Sequence, residues 1–181
     1  MLFQEEEYNL FVNDFNTSIY NLPKESNYSN YIFLCVGSDK IMGDSYGPLV
    51  GQKLEEFFQS MYTNVKVIGT LETPVSALNF NETVSKIYSS YKNPCVIVID
   101  SALSKENRIG NIIVQNSKIQ CGKGTNKQMK LIGDISIRAI VATNYNTPRY
   151  NYKSLQNVSL KQVLKLADIT ANGIYQVMKY H

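Results

Sequence analysis

Apolar side chains recur at roughly helical spacing from about Glu5 to Tyr20, at Tyr8, Leu10, Phe11, Phe15 and Ile19. That period predicts an amphipathic N-terminal helix. A polar, turn-rich connector containing Pro23 follows over 21–30. Tyr31–Val36 is a short apolar run closed by Gly37, the pattern of a strand buried on both faces. Gly37–Gly47 is polar and rich in glycine, and Pro48 then opens a helix predicted to reach about Met61, since proline fits the first helical turn. Val65–Gly69 reads as a second strand, and 70–80 as a loop. Asn81 is placed to cap a helix ending near Ser90. Cys95–Asp100 (CVIVID) is the strongest strand pattern, apolar on both faces until it meets Asp100. Ile109–Gln115 and the Gln120 region suggest a hairpin or short edge strands, and Ile135–Ala142 a further buried strand. The polar stretch 143–157 reads as a mobile surface loop. Ser159 then caps a last helix from Leu160 to about Tyr180, with Val163, Leu164, Ala167, Ala171, Ile174 and Val177 on or beside its buried stripe.

Helices alternating with buried strands imply a three-layer α/β/α fold around a mainly parallel sheet. The length of 181 residues suits one domain, with 1–30 as an N-terminal helix and connector and 31–181 as the core. Right-handed crossovers place ligand sites of such sheets beyond the carboxyl ends of the strands, where strand order reverses. Asp44 follows the first strand and Asp100 closes the third. If those strands are neighbours at the reversal, both carboxylates flank one crevice.

Composition narrows the chemistry. Apolar residues are 44% and charged residues 18%, as in an ordinary globular protein. The net charge of +3 comes from basic residues scattered along the chain, which gives no case for nucleic acid or an acidic membrane. No apolar run approaches the ~20 residues of a membrane span. The acidic start at Glu5–Glu7 lacks a signal-peptide core, so a cytoplasmic location is expected. Cys35 and Cys95 sit in strand-like runs and are expected to be buried thiols, while Cys121 lies in a Gly-rich loop. The one histidine is the last residue, His181. Sites built on Ser-His-Asp, Cys-His or His-ligated zinc are therefore disfavoured, and acid–base work falls on carboxylates first.

Three segments carry candidate chemistry. The loop from Gly37 to Pro48 is neither GxGxxG nor the GxxxxGK[ST] phosphate loop, so no nucleotide or other cofactor is indicated. Its Asp39 and Asp44 can serve a site, or simply hydrogen-bond loop amides. Asp100, ending an apolar strand, is costly to bury without a partner; it can take a salt bridge or form half of an acid pair. Two close carboxylates do not readily ionise together, so one holds a proton while the other activates water. Such a pair can also hold a divalent cation. Residues 118–130 (KIQCGKGTNKQMK) are either a solvated basic loop or a source of oxyanion donors in Lys127, Gly122 and Gly124. Ser101 has no base beside it and reads as a hydrogen-bonding neighbour.

These segments resemble the YyaC-type sporulation proteins, relatives of the germination protease of spore-forming bacteria. The likeness runs from about Ile32 to Tyr175 through VGSDKIMGDSYGPLVG (36–51), GTLETPVSALN (69–79), VIDSALSKENRIGNI (98–112), GKGTNKQMKLIGDI (122–135) and ITANGIY (169–175). The resemblance implies a phosphorylase/hydrolase-like α/β fold and an atypical aspartic-type endopeptidase acting on small acid-soluble spore proteins, in the forespore or spore interior. It places the two catalytic aspartates on Asp44, in the GD-x-x-GP motif, and on Asp100. The more distantly related hydrogenase maturation peptidases carry metal-binding acids at these positions and add a histidine from a later loop. This chain has none there, so no metal is expected. It departs from the family at Ser76, where a histidine is usual, and at Cys121-Gly122-Lys123-Gly124, where a PG-x-G turn is usual. It is also much shorter than the germination protease. Two alternatives stand beside the peptidase: a binding or regulatory protein of the spore that keeps the acidic crevice, and a hydrolase using a divalent metal on the carboxylates. The expected partner is a protein or peptide, with self-association left open.

Overall fold

The computed structural model describes residues 2–58, 62–120 and 131–180. Helix α1 spans Leu2–Tyr20, and strand β1 spans Asn30–Cys35. A 3-10 turn over Met42–Ser45 leads straight into α2 (Tyr46–Phe57). There follow β2 (Val65–Ile68), α3 (Phe80–Ser90), β3 (Pro94–Ser104), β4 (Ile112–Gln115), β5 (Ile135–Thr143), α4 (Pro148–Gln156) and α5 (Leu160–Met178). The sheet order is β2-β1-β3-β5-β4, parallel throughout except for β4, which runs antiparallel to β5 at one edge. This is the expected α/β architecture.

The alternation of side chains along the buried strands divides the core in two. Phe33, Cys35, Ile97, Ile99, Ile135 and Ile137 face α1, α2 and α5, where they meet Phe11, Phe15, Leu54, Val163 and Ile174. Ile32, Leu34, Val36, Val96 and Val98 face the other way, against Phe80, Val84 and Ile87 of α3. Strands covered on both sides must be apolar at every position, and the runs in β1 and β3 are. Both Cys35 and Cys95 are buried free thiols, and burial pushes each thiol well above its ordinary range. No helix among the described residues is long and apolar enough to cross a membrane.

Four expectations need correction. β3 does not end at Asp100 but runs on to Ser104, because β5 continues to pair with it through Thr143 after a shift of register at Ala102–Leu103. The stretch expected to be a loop over 143–157 contains α4, with Pro148 in its first turn. Its apolar anchors are few, chiefly Leu155, which packs against the main core from α4, and Val158 just beyond the helix. Helix α3 starts one residue before Asn81. Its N-terminal flank is Asn79, whose side chain reaches back to accept from the Ser76 amide (2.9 Å) and donate to the Pro74 carbonyl (3.1 Å). Finally, α2 is complete by Phe57, short of Met61, which lies outside the described residues.

Candidate functional site

Strands β1 and β3 are parallel neighbours, and β2 lies on the far side of β1. The chain therefore reverses its direction of travel across the sheet between β1 and β3, the place where open α/β sheets form a crevice. β1 stops there while β3 runs on, which leaves a step. The last contact is the Val36 amide donating to the Ile99 carbonyl at 2.8 Å, and Asp100 is the next residue of β3. Gly37, at φ +150°, then swings the chain aside and donates its amide to the Val75 carbonyl at 2.8 Å.

Glycines fix how closely the next segment returns. A Cβ on Gly37 would lie 2.0 Å from the Asp44 carbonyl oxygen, and one on Gly47 would lie 2.1 Å from the Val36 carbonyl oxygen. The return is held by the Ser38 amide donating to the Asp44 carbonyl (3.1 Å) and the Asp44 amide donating to Ile41 (2.9 Å). Ser45 Oγ closes the turn by donating to the Met42 carbonyl at 2.7 Å. The turn carrying Asp44 thus packs against β3 and against α2, α4 and α5.

Asp44 is half-buried, and loss of solvent raises its carboxyl from an ordinary 3.8 to about 6, with the Ser38 amide pulling it partly back. Two residues on, Tyr46 is fully buried and its hydroxyl lies 2.7 Å from Thr170 Oγ1 of α5. Burial raises the phenol far above its usual range, the hydrogen bond with Thr170 pulls it partly back, and the neighbouring Cys35 and Asp100 add to the rise. Asp100 itself is half-buried and stands in register with Arg138 of β5. Arg138 Nη2 donates to Gln115 Oε1 at 2.5 Å, while its Nε is buried without a hydrogen-bond partner.

The remaining residues singled out in the sequence lie as follows. Ser101 is in register with Ala139, a core residue facing α2 and α5, and alternates to the opposite side of β3 from Asp100. Asp39 is exposed on the loop after Gly37. Gly122, Gly124, Lys127 and the thiol of Cys121 lie outside the described residues. Sequence reasoning singled out neither Tyr46, Thr170 nor Arg138. The first two stand inside the GDSYGP and ITANG motifs, so their segments carried a signal; nothing in the sequence pairs a phenol with a hydroxyl 124 residues away. Among the described residues no group of three His, Cys, Asp or Glu side chains is placed to hold a metal.

Among solved structures, the fold is similar to a [NiFe] hydrogenase maturation protease HycI from Thermococcus kodakarensis KOD1. The TM-score is 0.58 and the identity 17%, over 84% of this chain and 94% of that one. At that identity the likeness is one of fold. Among curated proteins, the chain is 35% identical over 144 residues to the "Uncharacterized protein YyaC" of Bacillus subtilis (strain 168), covering 79% of this chain and 67% of the relative. A family model described as "Protein of unknown function (DUF1256)" matches residues 3–173. The chain belongs to the DUF1256 family, and its fold is that of a hydrogenase-maturation-protease-like α/β protein.

Proposed function

We propose that the chain is a germination-protease-like endopeptidase of the aspartic type, acting in the forespore on peptide bonds of spore proteins through Asp44 and Asp100. One observation carries the reading: the strand reversal between β1 and β3 sets the turn of Asp44 against the strand of Asp100, with Asp44 desolvated enough to keep a proton up to about pH 6. A carboxyl group that is still protonated in mildly acidic solution can act as a general acid where an ordinary aspartate cannot.

In this reading Asp100 takes a proton from water as the water oxygen bonds to the peptide carbonyl carbon. Asp44 gives its proton to the carbonyl oxygen. The tetrahedral intermediate then collapses with cleavage of the C–N bond: the proton on Asp100 passes to the leaving nitrogen, and one hydroxyl of the intermediate returns its proton to Asp44 as the carboxyl product forms. Proton count and charge are conserved over the cycle. Lys127 and the amides of Gly122 and Gly124, which lie outside the described residues, are assigned to the oxyanion by the glycine- and lysine-rich pattern of their loop alone.

The test is digestion of spore protein extract by the purified protein, with fragments read by mass spectrometry. Asp44→Asn and Asp100→Asn are each expected to lower the cleavage rate at least a thousandfold, in line with loss of an essential acid or base. Full activity in either variant removes the mechanism. A stoichiometric complex with a spore protein and no new fragments would instead make the crevice a recognition site. Cleavage that stops on exhaustive chelation would assign the work to a divalent cation on the carboxylates.

A further inference from the structure

Tyrosine is the commonest aromatic residue of the chain, with 13 against 7 phenylalanines and no tryptophan. Three of these tyrosines meet at the end of the sheet remote from the acid pair. Tyr28 stands in the connector ahead of β1, Tyr88 in the last turn of α3, and Tyr91 just beyond that helix. With Asp134 and Lys118 they line a cavity of about 390 Å³, within the ~300–1,000 Å³ of small-molecule sites. Pro94, the first residue of β3, forms part of its wall. Asp100 lies six residues further along that strand, about 20 Å away at the rise of an extended chain. The cavity is therefore separate from the crevice of Asp44 and Asp100.

The backbone fixes the carboxylate of this cavity. Asp134 donates its amide to the Val96 carbonyl at 2.7 Å and accepts the Val96 amide on Oδ2 at 2.8 Å. Gly133, at φ +104°, turns the chain into that position. Tyr28 donates its hydroxyl to Asp134 Oδ1 at 3.3 Å. Both donors are neutral, and among the described residues no Lys, Arg or His lies within ion-pair distance of Asp134. An ionised carboxylate has about four acceptor positions, so about half of them stay open. Burial and, next, the negative charge of Asp134 push the Tyr88 phenol up, so Tyr88 stands in the field of the same carboxylate. A half-buried carboxylate among tyrosine rings is completed by an ammonium group, through charge-assisted hydrogen bonds to oxygen and contact with the ring faces.

Lys118 gives the cavity a second pole. It is exposed, it is the cation among the described residues that line the cavity, and it meets no described carboxylate within ion-pair distance. A simple amine would be drawn to Asp134 and repelled by Lys118, and a simple anion the reverse. A small zwitterion satisfies both charges at once. Tyr88, 52% exposed, and the half-buried Tyr91 add ring surface on which an aromatic side chain can stack.

We propose that this cavity binds a free aromatic α-amino acid, with its ammonium on Asp134 and Tyr28, its carboxylate on Lys118 and its side chain against Tyr88 and Tyr91. The site stands apart from the peptidase reading and survives or fails without it. The test is isothermal titration calorimetry of the full chain with L-phenylalanine and with two derivatives that each lack one charge. L-phenylalaninamide keeps the ammonium and loses the carboxylate, while N-acetyl-L-phenylalanine keeps the carboxylate and loses the ammonium. Each derivative should bind at least tenfold more weakly than phenylalanine. Lys118→Met should weaken phenylalanine about tenfold and leave phenylalaninamide within twofold. Tyr88→Ala should weaken all three ligands. Both are exposed positions, so these variants keep the fold. Asp134→Asn, which retains an acceptor for the Val96 amide, should bring phenylalanine down to the level of its N-acetyl derivative. The absence of binding heat from millimolar phenylalanine overturns the site, as does phenylalanine binding that neither Lys118→Met nor Tyr88→Ala alters. Phenylalaninamide binding as tightly as phenylalanine overturns it in favour of a peptide amino terminus. N-acetylphenylalanine binding as tightly overturns it in favour of a simple anion on Lys118.

Discussion

Asp44 is an acid held where water is scarce, and that costs the folded chain stability whenever the group is ionised. Raising the carboxyl from 3.8 to about 6 corresponds to roughly 3 kcal/mol. Above pH 6 both folded and unfolded chains are ionised there, and the folded one bears the full cost. Between about 6 and 3.8 the folded chain takes up a proton before the unfolded one does, so this group's contribution to stability improves as pH falls. Below that window both states are protonated and the contribution is constant. Asp44→Asn should therefore stabilise the protein by about 1–3 kcal/mol at pH 7.5 and by little at pH 3.5, read from urea unfolding at each pH. A variant no more stable than the parent at pH 7.5 would mean that solvent reaches the carboxylate. The residue was legible in the sequence as an acid in a glycine-rich loop. Its desolvation was not, because it depends on α4 and α5 packing over the turn.

At the level of elements, the site is positioned by backbone-to-backbone approach rather than by long side chains. Gly47 and Gly51 stand one helical turn apart on α2, and both press on the ends of strands. An added Cβ on Gly51 would meet the Gly69 carbonyl oxygen at 2.1 Å, and one on Gly69, at φ +97°, would meet the Cys35 carbonyl oxygen at 2.0 Å. Main chain cannot rotate out of the way as a side chain can. Gly51→Ala is thus expected to cost ~3 kcal/mol or more in chemical denaturation, despite the better helix propensity of alanine. A loss below 1 kcal/mol would show that α2 can lift from the sheet. The glycines were visible in the sequence as turn formers, and what they face was not. α4 was missed for a related reason. Leu155 is the one aliphatic side chain after the proline in Pro148–Gln156 (PRYNYKSLQ), so the pattern is polar, and the helix is held by Leu155 sitting over Gly43 rather than by a broad apolar stripe of its own. β3 was shortened in the sequence reading because Asp100 interrupts its apolar run, yet the backbone ladder to β5 carries it four residues further.

Across the whole molecule, α1 closes the helical side of the sheet. Phe11, Phe15 and Ile19 are 2%, 0% and 5% exposed, and Gly173 of α5 has no Cβ where Phe11 sits, 2.5 Å from where one would be. Burying three such side chains contributes ~5–8 kcal/mol, comparable with the net stability of a domain. Removing residues 1–20 should abolish cooperative unfolding, seen as loss of a single sharp thermal transition; a truncated chain that melts within 5 °C of the parent would show that the sheet and the other helices suffice. The sequence alone determined the α/β class, the buried strands and the two acids, since continuous apolar runs, glycine turns and a lack of usable histidine are local properties that no packing can undo. Tertiary structure alone decided that β1 and β3 are neighbours, that the turn of Asp44 comes back against β3, and that Tyr46 meets Thr170. Each of those depends on contacts between residues far apart in the chain, whose energy comes from burial and close approach in space and leaves no period in the sequence.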